Sequence, residues 1–233
     1  MCFLDRRVTV ICGHYGTGKT NLSINLALDC AREGDEVTLI DMDVVNPYFR
    51  SSDYSDILTR EGIRVLGPNF ANSNLDTPSL PAAIGDAISD GRKVIIDVGG
   101  DDAGATALGV YSRKLTEADP DVLYVINKYR SQTTAADEAA VILTEIERAA
   151  RIKATGIVNN SHLKDLTDAD TILESVPFAE EVSRLTGLPV RFTTAPDYVD
   201  LLNKIPMMYQ VRVYVKAPWE KAGNRIAKDN RRQ

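Results

Sequence analysis

VTVICGHYGTGKTN, residues 8–21, is the stretch that decides the fold, because it joins a β-branched apolar run, a glycine-rich turn and the start of a helical pattern. Gly13, Gly18, Lys19 and Thr20 fit the spacing G-x-x-x-x-G-K-[ST] of a phosphate-binding loop. Glycines let backbone N–H groups turn towards a phosphate chain, and the following helix points the positive end of its dipole at the same anion. An ordinary glycine-rich turn would not need a lysine and a threonine directly after it. The stretch therefore predicts a strand, an anion-binding loop and a helix.

The residue types of this loop predict how a nucleotide would be held. We expect Lys19 to reach the β- and γ-phosphates, as a catalytic residue, and Thr20 to bind Mg²⁺. In the empty loop we expect the Lys19 side chain to be exposed to solvent. The predicted nucleotide-binding residues of the loop are Gly13, His14, Tyr15, Gly16, Thr17, Gly18, Lys19, Thr20 and Asn21.

The composition is that of one α/β domain. A chain of 233 residues has room for a substantial core but little room for two enzyme domains. No apolar run approaches the ~20 residues of a membrane helix, and the charged residues in MCFLDRRVTV argue against a signal peptide. Cys2, Cys12 and Cys30 form no CxxC pair and predict no disulfide framework, so we expect a cytoplasmic protein. The net charge of -6 argues against broad binding to nucleic acid.

Short apolar runs alternate with helix-length segments along the chain, which predicts a parallel sheet with helices on both faces. Ligands bind such sheets at the carboxyl ends of the strands. Five residues directly follow predicted strands and are expected at that edge: Gly13, Asp43, Asp97, Asn127 and Asn160. After the first strand, the predicted strands cover residues 36–40, 63–66, 93–97, 122–126, 154–158 and 190–193, and the predicted helices cover 22–34, 80–88, 133–150 and 168–185.

The run KVIIDVGGDD, residues 93–102, predicts a second part of the site. An apolar strand that ends in an acid and then glycines is typical of a Walker B strand. In this interpretation Asp97 holds a Mg²⁺-bound water and Gly100 offers its N–H to the γ-phosphate. The alternative is a strand that ends in a solvated turn. The phosphate-binding loop upstream favours the functional interpretation.

Three stretches together resemble the MinD/ParA group of P-loop ATPases, the CobQ/CobB/MinD/ParA nucleotide-binding domain family. They are GHYGTGKTN, then LIDMDVVNP after the second strand, and IIDVGGDD after a later strand. The resemblance covers roughly residues 7–200. It implies a three-layer α/β P-loop NTPase fold with a mostly parallel central sheet, ATP and Mg²⁺ as ligands, and ATP hydrolysis. It also implies that Asp43, with Asp41 at the end of its strand, is a catalytic and metal-binding residue that positions the attacking water.

The chain departs from this family pattern at one position of the loop. MinD and ParA proteins carry a signature lysine after the first glycine, where it contacts the nucleotide across a dimer. His14 occupies that position here. An imidazole is shorter and mostly neutral at pH 7, so the substitution leaves an ATP-dependent homodimer open.

The base is expected to be adenine. The stretch NKYR begins like the guanine-reading signature N-K-x-D, but Arg130 stands where an acid must accept hydrogen bonds from guanine. Similarity to the family makes Asn160, with Asn159 as the alternative, the adenine-reading residue, and places Pro196 and Asp197 near the base or ribose. Asn160 has an alternative role as a turn residue that hydrogen-bonds its own backbone.

We therefore expect a Mg-ATP-dependent switch in residues 1–205, with a C-terminal extension in residues 206–233 that packs on or trails from the same domain. One alternative is an ATP-dependent synthetase that phosphorylates a small-molecule carboxylate, like cobyrinic acid a,c-diamide synthase or dethiobiotin synthetase. Another is a nucleotide-binding module that scarcely hydrolyses. The protein partner or small-molecule substrate stays unidentified. The basic segment 216–233 is interpreted as a solvated tail, with membrane or nucleic-acid contact as the alternative.

Overall fold

A computed structural model of the chain describes residues 3–43, 54–67, 83–201 and 204–215. Eight strands form one sheet in the order β3-β2-β4-β1-β5-β6-β7-β8, and every neighbouring pair is parallel. This arrangement confirms the expected three-layer α/β fold. The strands are β1 (Val8–Cys12), β2 (Val37–Met42), β3 (Arg64–Leu66), β4 (Lys93–Val98), β5 (Asp121–Ile126), β6 (Gly156–Asn159), β7 (Val190–Pro196) and β8 (Met208–Val211).

Helices cover both faces of the sheet, and β1 shows how its residues are divided between them. Val8, Val10 and Cys12 pack into one core with residues of α3, α4, α5, α6 and α8, whereas Ile11 packs into a second core with α1 and α2. Successive side chains of a strand point to opposite faces, so a fully apolar strand serves both cores. The helices are α1 (Lys19–Arg32), α2 (Ser55–Arg60), α3 (Ala83–Ala87), α4 (Asp102–Gly109), α5 (Ser112–Ala118), α6 (Ala136–Ala150), α7 (Ala169–Leu173) and α8 (Val176–Thr186).

The sheet order brings the two predicted phosphate-site segments side by side. β1 lies between β4 and β5, and Ile11 of β1 is in register with Asp97 of β4. The loop after β1 therefore begins next to the acid that ends the neighbouring strand. Chain connections diverge from this central strand, which is where ligands bind in open α/β sheets.

Two helices between β4 and β5 were not predicted. α4 contains two glycines in DAGATALG and has little intrinsic helix propensity. It forms because Asp101 caps it, with Oδ1 accepting a hydrogen bond from Gly104 N at 2.8 Å. A Cβ on Gly104 would lie 2.6 Å from the Cα of Gly99, so the glycine also lets the helix pack closely against the loop before it.

The prediction of one helix over residues 168–185 was wrong. The segment forms α7 and α8, with a break at Glu174 and Ser175. Pro177 in the first turn of α8 explains the break, because proline has no N–H to donate to a helical turn before it. A separate helix start tolerates this proline, since the first N–H groups of a helix have no partner within it.

Segment 204–215 continues the sheet beyond β7. β8 pairs with β7 through the register Thr193↔Met208 to Pro196↔Val211. Phe3, Phe192 and Tyr209 form an aromatic cluster on the face of α1, with ring centroids 5.0 to 5.6 Å apart. This cluster ties the start of the chain to the last two strands.

Several expectations concern other parts of the chain. The connections between residues 44 and 53 and between 68 and 82, and the basic segment 216–233, lie outside the described residues.

Cys12 is a buried free thiol, whereas Cys30 is disulfide-bonded, which the cysteine spacing did not predict. None of the helices in the described ranges has the length and apolar character needed to cross a bilayer.

Candidate functional site

A cavity of about 320 Å³ opens at the carboxyl edge of the sheet. The loop between β1 and α1 forms one end of it. The segments that follow β6, β7 and β8 form the other end. The residues predicted for the site that line the cavity are Tyr15, Gly16, Gly18, Lys19, Thr20, Asn21, Asp43, Gly100, Asn160 and Pro196.

The conformation of the loop after β1 depends on its glycines. Gly13 has a φ of 147°, and a Cβ there would lie 2.3 Å from the carbonyl oxygen of Val125 in β5. Gly18 has a φ of 86°, and its Cβ would lie 2.4 Å from Nδ2 of Asn160. Positive φ and close backbone approach are tolerated by glycine alone without strain. Gly13 thus lets the loop pack against β5, and Gly18 lets it pack against Asn160, the residue that follows β6.

Lys19 is buried, at 7% exposure, so the expectation of an exposed side chain was wrong. Its Nζ donates a hydrogen bond to the carbonyl oxygen of His14 at 3.0 Å. Burial lowers the pKa of Lys19, while the carboxylates of Asp97 and Asp43 oppose that shift. The side chain folds back over the loop because its ammonium group finds acceptors and negative charge there.

The carbonyl of His14 organises this part of the loop. It also accepts hydrogen bonds from Thr17, through the backbone N–H at 3.4 Å and through Oγ1 at 3.0 Å. Thr17 is fully buried, and its own carbonyl oxygen accepts a hydrogen bond from Asn160. His14 therefore shapes the loop through its backbone carbonyl, and Thr17 through its backbone and its hydroxyl.

The acids near the carboxyl ends of β2 and β4 lie close enough to the loop to act electrostatically on Lys19. Asp97 is 1% exposed, and its Oδ1 accepts a hydrogen bond from Ser23 Oγ of α1 at 3.3 Å. Asp41 accepts from the backbone N–H of Asp43 at 2.9 Å, which fixes the end of β2. Asp43 faces the cavity and Asp97 lies under Lys19 in the core.

Gly100 lies in direct contact with the loop between β1 and α1. A Cβ on Gly100 would lie 2.6 Å from the Cα of Tyr15 and 2.9 Å from Nζ of Lys19. A side chain at this position would therefore push the loops apart. The loop after β4 reaches the tip of the loop after β1 only because residue 100 is glycine.

Asn160 joins the loop to two strands. Its Nδ2 donates to the carbonyl oxygen of Thr17 at 2.6 Å, and its Oδ1 accepts a hydrogen bond from the hydroxyl of Thr194 in β7. The amide orientation follows from these partners, because a carbonyl can only accept. These bonds use one donor and one acceptor position of the amide, which has two of each.

Pro196 and Asp197 lie at the end of β7 but in different surroundings. Pro196 is buried and lines the cavity. Asp197 is exposed and forms an ion pair with Arg212 at 3.6 Å. Its backbone N–H donates to the carbonyl oxygen of Val211 at 2.9 Å. Asp197 thus binds the following segment, while Pro196 faces the site.

The sequence interpretation did not include the end of β8 and the segment that follows it. Val211, Val213 and Val215 form an apolar wall of the cavity. The period-two spacing of these valines in QVRVYVK is the signal of a strand that could have identified them. It lay in the part of the chain that we interpreted as an extension.

Asn21 and Asn25, one turn apart on α1, hold this wall in place. Asn25 Oδ1 accepts from Arg212 N at 2.8 Å, and its Nδ2 donates to Arg212 O at 2.9 Å. Asn21 Oδ1 accepts from the backbone N–H groups of Tyr214 and Val215. Paired asparagines are poor helix formers, so their occurrence in NLSIN is explained by this backbone recognition.

His162 is a further cavity residue that the sequence did not single out. Its ring lies near the loop, since a Cβ on Gly18 would be 3.2 Å from Nε2. Burial, together with the charges of Arg130 and Lys164, lowers the pKa of His162 to about 4. The imidazole is therefore neutral at physiological pH.

The oxygen atoms around Lys19 suit a magnesium ion held jointly with phosphates. Mg²⁺ usually keeps several waters and is bound by one or two protein groups plus phosphate oxygens. Thr20 and Asp43 line the cavity, and Asp97 is a buried carboxylate next to it. In the described ranges, no group of three or more His, Cys, Asp or Glu side chains could hold a metal ion alone.

Solved structures with a similar fold are distant in sequence. The signal recognition particle 54 kDa protein from Aeropyrum pernix K1, in complex with GDP, is 22% identical, with a TM-score of 0.52 over 80% of this chain and 40% of that chain. Cell division protein FtsY from Thermotoga maritima is 22% identical, with a TM-score of 0.54 over 82% and 62% of the two chains. Chloroplast FtsY from Physcomitrella patens is 20% identical, with a TM-score of 0.53 over 81% and 58%. At these identities the similarity shows the fold, and the chain spans less than two thirds of each of these proteins.

A search of curated protein sequences found no match. The family model of the CobQ/CobB/MinD/ParA nucleotide binding domain matches residues 8–187. The match includes the loop between β1 and α1, the acids near the carboxyl ends of β2 and β4, and Asn160. It covers well over half of the chain, and so this protein belongs to the CobQ/CobB/MinD/ParA nucleotide-binding domain family.

Proposed function

We propose that the protein binds Mg-ATP in this cavity and hydrolyses it slowly, as a nucleotide-dependent switch. One observation carries the proposal: a single cavity joins Lys19 at one end to the apolar wall of Val211 and Val213 at the other. A ligand with an anionic chain and a flat, largely apolar ring matches both ends. Nucleotides have this chemistry.

At the phosphate end, Lys19 and the start of α1 would bind the β- and γ-phosphates. Lys19 Nζ now donates to the carbonyl of His14 and can exchange that acceptor for a phosphate oxygen. The first N–H groups of α1 have no partner within the helix, and Gly18 at its N-cap provides no side-chain cap. Gly100 lies beside Lys19, where its N–H would meet the γ-phosphate.

Thr20, Asp43 and Asp97 are the proposed magnesium residues. A bound Mg²⁺ would neutralise charge on the phosphate oxygens during transfer. Thr20 would bind the ion directly, and Asp97 would hold one of its waters. Asp43 would orient the attacking water, since it lines the cavity from the end of β2.

At the other end, the base would lie between Pro196 and the valine wall, within reach of Asn160. Adenine is favoured over guanine because Arg130 stands where a guanine-reading acid is needed. One related fold is known in complex with GDP, so GTP is the second candidate. Asp165 also lines the cavity and is the carboxylate that would have to read guanine in that case.

A switch differs from a synthetase in what happens without a second substrate. In a switch, binding of the γ-phosphate would rearrange the loop at Gly100, which packs against Tyr15. A partner protein would then bind this rearranged conformation. In a synthetase, ADP would form only when an acceptor carboxylate is present. Slow ADP formation by the protein alone would therefore support the switch.

The test is a calorimetric titration of wild-type protein and Lys19→Ala with Mg-ATP and Mg-GTP. We expect wild type to bind ATP more tightly than GTP and Lys19→Ala to bind neither. Lys128→Ala is the matched control, because Lys128 Nζ donates to the carbonyl of Glu174 and does not line the cavity. Binding of ATP by Lys19→Ala at the wild-type affinity would contradict the proposal. Tighter binding of GTP would overturn the choice of base.

A further inference from the structure

Arg130 belongs to the loop that follows β5 and lines the same cavity. Hydrogen bonds fix the backbone of this loop: Asn127 Oδ1 accepts from Tyr129 N at 3.0 Å, and Arg130 N donates to Asn127 O at 3.2 Å. Thr133 Oγ1 also donates to Asn127 O, at 3.0 Å. The side chain of Arg130 therefore starts from a rigid turn at the mouth of the site.

The guanidinium of Arg130 lies directly on the phosphate-binding loop. A Cβ on Gly16 would be 3.0 Å from Cζ, 3.1 Å from Nε and 3.4 Å from Nη1 of Arg130. Gly16 also has a φ of 75°, so a side chain there would be strained and would collide with the arginine. The glycine leaves room for a planar cation over the loop.

This cation has no anionic partner in the part of the chain that the structure describes. Its Nε is buried and makes no hydrogen bond there. Burial lowers the pKa of Arg130, and the only ionisable group that opposes the shift is Tyr15. Asp43 and Asp165 line the same cavity, yet neither pairs with the guanidinium.

A half-buried guanidinium without a counter-charge is costly for the folded protein. Side chains in such a state, in a cleft, are candidates for ligand binding, because the ligand supplies the missing charge. Arginine presents several N–H donors in a planar fork that matches the oxygens of a phosphate group. Under the proposed function, the part of the ligand that would reach Gly16 from inside the cavity is the phosphate chain.

We propose that Arg130 binds the phosphate chain of the nucleotide from the side of Gly16, opposite Lys19, so that two cations clamp the chain. This inference rests on the proposed function and adds a binding residue to it. In the stretch NKYR, Arg130 then supplies a phosphate-binding cation at the position where the guanine-reading signature N-K-x-D has an acid. The contact is independent of the identity of the base.

The test compares wild type with Arg130→Gln, Arg130→Lys and Arg113→Gln by calorimetric titration with ATP, ADP and CTP. Arg113 is the matched control, because it is 92% exposed on α5 and its loss changes the net charge equally. A charge-assisted hydrogen bond corresponds to about a 10- to 100-fold change in affinity. We expect Arg130→Gln to weaken ATP, ADP and CTP by the same factor in this range, with partial recovery in Arg130→Lys and no change in Arg113→Gln.

Thermal unfolding of the ligand-free variants separates binding from structural support. Removal of an unpaired, half-buried cation should leave the melting temperature of Arg130→Gln at or above that of wild type. A clearly lower melting temperature than that of Arg113→Gln would overturn the proposal, because it would make Arg130 a structural residue. Unchanged affinities, or a loss confined to ATP and ADP with CTP unaffected, would also overturn it. If wild type binds no nucleotide, or Lys19→Ala still binds, the proposed function fails instead.

Discussion

Gly18→Ala should be more destabilising than its backbone conformation alone implies. Gly18 and Gly34 flank α1, with φ values of 86° and 97°. A Cβ on Gly34 would meet no atom within 4 Å, whereas a Cβ on Gly18 would lie 2.4 Å from Nδ2 of Asn160. Gly34→Ala is therefore a matched control that carries the conformational cost without the collision.

The magnitudes follow from the contacts that each change removes. A left-handed backbone costs an alanine about 1–2 kcal/mol. At Gly18 the displaced Asn160 amide also loses its hydrogen bonds with Thr17 and Thr194, at about 1 kcal/mol each. We expect Gly34→Ala to lower the free energy of unfolding by about 1–2 kcal/mol and Gly18→Ala by about 3–4 kcal/mol.

Urea unfolding of the single variants and of the double variant Gly18→Ala/Asn160→Ala measures the difference. Once Asn160 is truncated, the 2.4 Å collision disappears and only the 3.2 Å approach to His162 Nε2 remains, so Gly18→Ala should then cost little more than Gly34→Ala. The coupling energy between the two sites should be about 2 kcal/mol. Equal costs for both glycines in the wild-type background would refute the reasoning, because Asn160 would then not be packed against Gly18.

Three further predictions concern single residues. The pKa of His162 is lowered from 6.5 to about 4, so the unfolded state binds the imidazole proton more tightly than the folded state does. The free energy of unfolding should therefore be unaffected by this group above about pH 6.5 and should fall by up to about 3 kcal/mol as the pH is lowered to 4. Between pH 6.5 and pH 4 the free energy of unfolding of wild type should therefore fall relative to that of His162→Gln, and parallel pH profiles would contradict this. Asn25→Ala should cost about 1–3 kcal/mol in urea unfolding and weaken ATP binding, because it releases the backbone of Arg212; unchanged ATP affinity would show that α1 does not hold the cavity wall. Asp43→Ala should slow single-turnover hydrolysis roughly 10²- to 10⁴-fold at nearly unchanged ATP affinity, whereas a wild-type rate would mean that the water is positioned elsewhere.

The sequence predicted the features that depend on local pattern. The strand, loop and helix around Lys19, the parallel sheet and the acids that end β2 and β4 all follow from short-range spacing. Spacing could not show that Lys19 is buried, because its burial depends on the His14 carbonyl and on Asp97 from a neighbouring strand. Exposure of a long side chain is decided by tertiary contacts that a motif does not contain.

Long-range contacts explain the other differences. The role of Asn25 depends on backbone atoms of Arg212, far along the chain, and nothing adjacent to Asn25 indicates that partner. α4 forms through the cap at Asp101 and its close packing at Gly104, which outweigh the poor helix propensity of its glycines. In both cases tertiary packing overrides local preference, as it often does for short or weak elements.

The position of the valine wall has a consequence for synthesis of the protein. The loop between β1 and α1 precedes Val211, Val213 and Val215 in the chain by about 190 residues, so it leaves the ribosome well before them. The side-chain amides of Asn21 and Asn25 can form their hydrogen bonds with the backbone of Arg212 and Tyr214 only after the same segment has been synthesised. A nascent chain that ends before these valines would lack one wall of the cavity, so a bound nucleotide could stabilise the fold only after this segment has been synthesised.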